Sequence, residues 1–247
     1  MTIYQGAPLG ADKAFAQGGN PCYHECVLHR GTFITFEGTD GSGKSTQIEK
    51  LANVLRAQRI EVLLTREPGG TSVGESIREI LLNSATAGLS ARTELGLVFA
   101  ARAQHLMEVI LPALAAGHYV LCDRFTDSTE AYQGGGRELG SEIVLTLHKL
   151  FCDDLQPDLT LLLDCDLSVS LARAQHRNLV TSAAGHSDEN RFERESRAFF
   201  GRVHDGFLTI ARREPKRVEL IDARGTPNET HGKILTVLRD RLKLPNL

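Results

Sequence analysis

Neither sign of charge dominates this 247-residue sequence: 28 Lys and Arg face 31 Asp and Glu, a formal net charge of -3. That balance argues against broad binding to nucleic acid or to a membrane surface, and leaves room for a small, locally basic site. No apolar run approaches the roughly 20 residues a membrane span needs. The N-terminus lacks the continuous apolar core of a secretory signal. Five cysteines, Cys22, Cys26, Cys122, Cys152 and Cys165, are odd in number and widely spaced. They do not form a disulfide framework, and a reducing, cytoplasmic setting is expected. Cys122, Cys152 and Cys165 lie in or near apolar segments and read as small buried hydrophobes. Cys22, His24, Cys26 and His29 cluster, but no second pair follows at zinc-finger spacing.

What is present is an ordinary globular text, 41% apolar and 24% charged. Residues 1–30 carry no clear period and read as a flexible extension; residues 31–247 read as one domain. Within it, short apolar or β-branched runs at 32–36, 60–64, 119–122, 159–163 and 218–221 predict strands. Between them, stripes of period 3.6 predict helices at 45–58, 73–81, 92–116, 126–132, 141–152, 168–175, 192–212 and 232–242. Pro112 is expected to bend the long one. This alternation implies a five-stranded parallel sheet with helices on both faces, a three-layer α/β fold. Ligands on such sheets sit beyond the carboxyl ends of the strands, so the segments after the first three strands should share a cleft.

The first of those segments is Gly38-Thr39-Asp40-Gly41-Ser42-Gly43-Lys44-Ser45, followed by Thr46. It fits G-x-x-x-x-G-K-S/T between a strand and an amphipathic helix, the context that confirms a phosphate-binding loop. Gly38, Gly41 and Gly43 let successive N–H groups turn inward as an anion nest. The following helix aims its positive end at the same point. Lys44 supplies a compact charge at the terminal phosphates and Ser45 a hydroxyl for Mg²⁺. The third strand ends at Asp123, where a second Mg²⁺-assisting group is expected, and Arg124 follows with a guanidinium suited to phosphate.

Four segments together resemble the thymidylate kinase family: Phe36 to Thr46; Thr65-Arg66-Glu67-Pro68-Gly69-Gly70-Thr71; Asp123-Arg124-Phe125 with Ser128 and Ala131-Tyr132-Gln133-Gly134; and Arg191-Phe192-Glu193 with Glu195-Ser196. The resemblance covers about Gly31 to Leu242. It implies a P-loop nucleoside monophosphate kinase fold, Mg²⁺ and ATP as donor, dTMP as acceptor, a homodimer, and a place in dTTP supply. It also implies residue roles. Asp40 resembles the acid on the acceptor sugar, Glu67 the acid near the acceptor, and Arg78 an arginine reaching its phosphate. Arg124 resembles the arginine that bridges both phosphates, and Arg102 the one at the thymine edge. Ser128, Thr129 and Gln133 resemble polar groups near the ring.

Two departures from the family pattern stand out. The ring-stacking Phe is expected four residues before Arg102, where this chain has Val98; Phe99 lies three before. Both offsets share a helix face, so both residues are candidates for the base. Gly41 occupies a loop position that is basic in some relatives. Its absence resembles the bacterial kind, which supplies that charge from a mobile lid at about 173–195. Within it, Arg173, Arg177 and Arg191 flank the polar segment Asn178 to Asn190; Arg177 and Arg191 are the candidates for catalysis. The rival readings are another nucleoside monophosphate or deoxynucleoside kinase, and a non-catalytic nucleotide switch.

Overall fold

Five short strands form the frame: β1 (Phe33–Glu37), β2 (Val62–Arg66), β3 (Tyr119–Asp123), β4 (Leu159–Asp164) and β5 (Val218–Asp222). The computed structural model describes residues 31–86, 88–174, 191–192 and 195–244. All strand pairs are parallel, in the order β2-β3-β1-β4-β5. β1 is thus central, and all five of its residues are buried. Its pleat sends alternate side chains to opposite faces. Ile34 and Phe36 meet Ile48, Leu51 and Leu55 of α1 (Lys44–Ala57) and Ile234 and Leu238. Phe33 meets Leu95, Phe99, Ile110 and Val144 on the other side. Helices therefore cover both faces, as the alternation of elements predicts.

The remaining helices are α2 (Ser72–Leu82), α3 (Ala91–His105), α4 (Leu111–Ala115), α5 (Thr126–Thr129), α6 (Ser141–Cys152), α7 (residues 167–174), α8 (Arg197–Arg213) and α9 (Pro227–Leu242). Four differ from expectation. The helix over 126–132 is α-helical only to Thr129 and continues as a π segment, Glu130–Gly136. α9 begins five residues early because Thr226 and Glu229 close a capping box with Pro227 in the first turn. α8 begins at Arg197 instead of 192, where the Ser196 side chain accepts from the Phe199 amide. The helix over 92–116 is interrupted by a π segment, Leu106–Ile110. Pro112 has no N–H to give to Glu108, and the turn before it widens.

The same three segments make a 25-residue stretch, Ala91–Ala115, long and apolar enough by composition to cross a bilayer, contrary to the expectation from sequence. Here it packs against the sheet and carries buried Glu94, Arg102 and His105, each with a polar partner in the fold. Cys122, Cys152 and Cys165 are free and buried, as expected. Cys22 and Cys26 lie outside the described residues, as do the whole 1–30 segment and most of 173–195.

Candidate active site

The loop after β1 closes around backbone amides because its glycines take left-handed angles: φ is 127° at Gly38, 81° at Gly41 and 101° at Gly43. A side chain at Gly41 would also meet the Ser170 carbonyl of α7 at 2.0 Å. Lys44 is buried, and its Nζ donates to the carbonyls of Gly38 and Thr39 at 3.1 and 3.0 Å. Burial, with Arg124 nearby, pulls its pKa down to about 8. Ser45 Oγ donates to Asp123 Oδ2 at 3.2 Å. Asp123 reaches it because β1 and β3 are neighbours, with Phe36 opposite Asp123. Asp123 Oδ1 is buried and has no hydrogen-bond partner. Thr39 turns its hydroxyl to Ser170 at 3.2 Å, whereas Thr46 is exposed. These positions suit an anion above the loop and a cation between Ser45 and Asp123.

Beside the loop, Arg124 extends across the rim. Its Nη2 donates to Asp40 Oδ1 at 2.9 Å and to the Tyr132 hydroxyl at 3.2 Å, and its Nη1 donates to Ser128 Oγ at 2.8 Å. The Tyr132 hydroxyl donates to Asp40 Oδ2 at 3.2 Å. Arg124 also lies 5.0 Å from the Tyr132 ring centre. Asp40, in the phosphate loop, and Arg124, after β3, are thus joined directly. Burial pushes the Tyr132 pKa up, so its phenol keeps its proton.

A third group lies between α3 and the segment after β3. Glu67 is buried, and both oxygens are engaged: Arg102 Nε donates at 2.6 Å, and His105 Nδ1 lies at 2.9 Å. His105 Nε2 meets Thr65 Oγ1 at 2.6 Å. Glu67 therefore holds Arg102 and His105, one with each oxygen. Burial pushes the Glu67 pKa up, but Arg102 and His105 outweigh it and hold the carboxylate below its usual range. Arg102 Nη2 donates to Thr129 Oγ1 at 2.8 Å, its guanidinium lies 5.0 Å from the ring centres of Phe99 and Phe125, and its Nη1 is buried without a partner.

Two turns before Arg102, Glu94 accepts from Gln133 Nε2 at 2.7 Å, from Arg137 and from Arg191 Nη2 at 2.7 Å. Arg78 Nη1 donates to the Pro68 carbonyl at 3.1 Å. Phe99 is wholly buried in the core beneath Arg102. One residue is 100° of helix, and that rotation leaves Val98 half-buried on the neighbouring face.

Arg191 is engaged within the fold in this arrangement. It is 4% exposed, bound to Glu94 and the Leu81 carbonyl, and lies over Phe192 at 4.5 Å. Arg177 falls outside the described residues, and Arg173 Nη1 lies 3.9 Å from Cys165 Sγ.

The sequence alone assigns no role to Glu37, Glu94, Tyr132 or His105. Glu37 and Glu94 carried a signal: an acid inside an apolar stretch needs a partner.

The thymidylate kinase family model matches residues 36–234. A protein named thymidylate kinase from Pseudomonas syringae pv. tomato is 51% identical over 214 residues, 87% of this chain and 98% of its own length. One of the same name from Trichlorobacter lovleyi is 48% identical over 213 residues, 86% of this chain and 99% of its own. The crystal structure of thymidylate kinase from Ehrlichia chaffeensis superposes with a TM-score of 0.68 at 34% identity, covering 85% of this chain and 99% of that one. Sheet order, phosphate loop and rim arginine agree with that likeness: the chain belongs to the thymidylate kinase family.

Proposed function

We propose that this chain transfers the terminal phosphoryl group of ATP to dTMP, giving ADP and dTDP in the cytoplasmic supply of dTTP. One observation carries the reading. The donor loop and the rim arginine share one space, with Arg124 Nη2 at 2.9 Å from Asp40 within the loop.

In this reading the inward amides and Lys44 hold the donor phosphates. Mg²⁺ would be held by Ser45 and Asp123, where it would neutralise charge on the donor; the unpartnered Asp123 Oδ1 is an acceptor that fits such an ion or its water. Lys44 exchanges its own loop carbonyls for phosphate oxygens. Arg124 leaves Asp40 for the acceptor phosphate, which frees Asp40 for the sugar hydroxyl, and Arg78 adds a second cation. A phosphate oxygen of dTMP is already an adequate nucleophile, so no strong base is needed. Arg102 Nη1 is left to donate to a base carbonyl. Gln133 must turn its amide nitrogen to the Glu94 carboxylate, which only accepts, so its carbonyl meets a ring N–H. Arg177 and Arg191 are the candidates for the charge that closes over the phosphates. Leu150, Phe151 and Met107 leave large apolar surface exposed at α6 and the π segment after α3, which suits a homodimer.

A coupled ADP-release assay across the deoxynucleoside monophosphates and thymidine tests the reading, with dTMP expected to be preferred. Lys44→Ala and Arg124→Ala should each slow transfer by two or more orders of magnitude, the scale of one lost transition-state contact. Near-normal turnover in either folded variant contradicts the assignment.

A further inference from the structure

Glu37 is a carboxylate with no accessible surface at the end of the central strand, one residue before the phosphate loop. Packing does not require a charge there, and burying one is costly unless each oxygen is satisfied. Both oxygens are committed to the turn after β3. Oε1 accepts from the Phe125 amide at 2.7 Å, and Oε2 accepts from the Ser128 hydroxyl at 2.5 Å. Ser128 has one proton to give. Giving it to Glu37 turns its lone pairs to Arg124 Nη1, which donates to it at 2.8 Å.

Arg124 has φ of 72°, a left-handed backbone for a residue with a side chain. Such a conformation persists only where its surroundings over-determine it. Here two successive amides are pinned to two successive residues of β1: Arg124 N–H to the Phe36 carbonyl at 3.0 Å, and Phe125 N–H to Glu37. The backbone angle and the guanidinium direction thus depend on the same carboxylate.

We propose that Glu37 is a positioning residue that aims the Arg124 guanidinium, through Ser128 and the Phe125 amide, and thereby sets the rate of phosphoryl transfer. This rests on the function proposed above. Glu37 touches neither nucleotide. Its carboxylate form is the working form, because a proton on Oε1 opposes the Phe125 N–H and one on Oε2 releases the Ser128 proton whose direction fixes the hydroxyl toward Arg124. Burial and the charge of Asp127 push its pKa up to about 7. Arg124 opposes this, and Lys44, Arg102, Arg217 and Cys122 are also coupled to it.

The test is a double-mutant cycle in the full chain, with steady-state kinetics for both substrates and thermal melts as the check on folding. Glu37→Gln should lower kcat by about tenfold to 100-fold, the scale of a misaimed catalytic group. KM for ATP should stay within about twofold, since the loop and Lys44 are intact. In an Arg124→Ala background the same change should cost about threefold or less, because a residue acting through Arg124 has nothing left to aim. The parent kcat should fall as pH drops through about 7, and the Gln variant should lose that limb. If Glu37→Gln does not fold, Glu37→Asp keeps the charge but shortens the reach by one methylene, and the same cycle built on it discriminates equally well. Costs that multiply in the double variant overturn the inference while leaving the kinase reading intact. A parent enzyme that makes no dTDP overturns the kinase reading itself.

Discussion

Truncating Glu67 to Ala removes the partner of a guanidinium that is 2% exposed, and Arg102 already carries one unpartnered nitrogen. Breaking a buried ion pair from one side costs about 3–5 kcal/mol, because the surviving charge cannot reach water. At about 2–4 °C per kcal/mol for a chain of this size, the melting temperature should fall by roughly 6–20 °C. Glu67→Gln is the discriminating control. Its carbonyl still accepts from Arg102 Nε, and its amide can donate to His105 Nδ1 while His105 Nε2 donates to Thr65. Only the charge is lost, so the cost should be nearer about 1–3 kcal/mol. Both variants loosen Arg102, so KM for dTMP should rise on the order of tenfold, the worth of about 1.4 kcal/mol. KM for ATP should hold. Calorimetric melts and two-substrate kinetics give both numbers. Should Glu67→Ala melt within about 2 °C of the parent, the buried triad would not contribute to stability as argued.

Lys44 loses its proton as pH rises through about 8, so the affinity of a non-hydrolysable ATP analogue should fall above that pH and stay flat in Lys44→Ala. Calorimetric titration from about pH 6.5 to 9.5 would show it, a window that spans the shifted value. Glu37 has a folded pKa of about 7 against 4.5 when unfolded. Its raised value stabilises the fold fully below the unfolded pKa, and that contribution is lost as pH rises towards 7. The loss is 7 minus 4.5, or 2.5 pH units, worth about 3 kcal/mol at 1.36 per unit. Urea unfolding of the parent against Glu37→Gln across that window should show the gap. Gly70→Ala should destabilise by roughly 2–5 kcal/mol, from the left-handed backbone and overpacking together. The new methyl would meet His105 Nε2 at 2.4 Å, and the loss should appear in the same denaturation assay.

The phosphate loop, Asp123 and Arg124 were legible because their roles demand fixed spacing next to a strand, and strand pairing then brings Ser45 to Asp123 without further information. The residues around Arg102 were legible only as names. Spacing shows Glu67, Arg102 and His105 as polar groups but not which carboxylate faces which cation, since that depends on how α3 packs against β2. Val98 and Phe99 differ by a single 100° step, which a face defined by offsets of three or four cannot resolve. The early start of α9 was written in Thr226, Pro227 and Glu229, but its first turn is polar and hid from a search for apolar stripes. The widened turn at Leu106–Ile110 had only Pro112 as a sign.

Because β1 is hydrogen-bonded along both edges and closed in on both faces, the donor cradle grows from a strand held on every side. It cannot shift to meet a nucleotide without disturbing two neighbouring strands. Accommodation between the two substrates must therefore come from side chains at the rim, where Arg124 and Asp40 trade partners. The immobile half of the site sets the reference against which the other half is aligned.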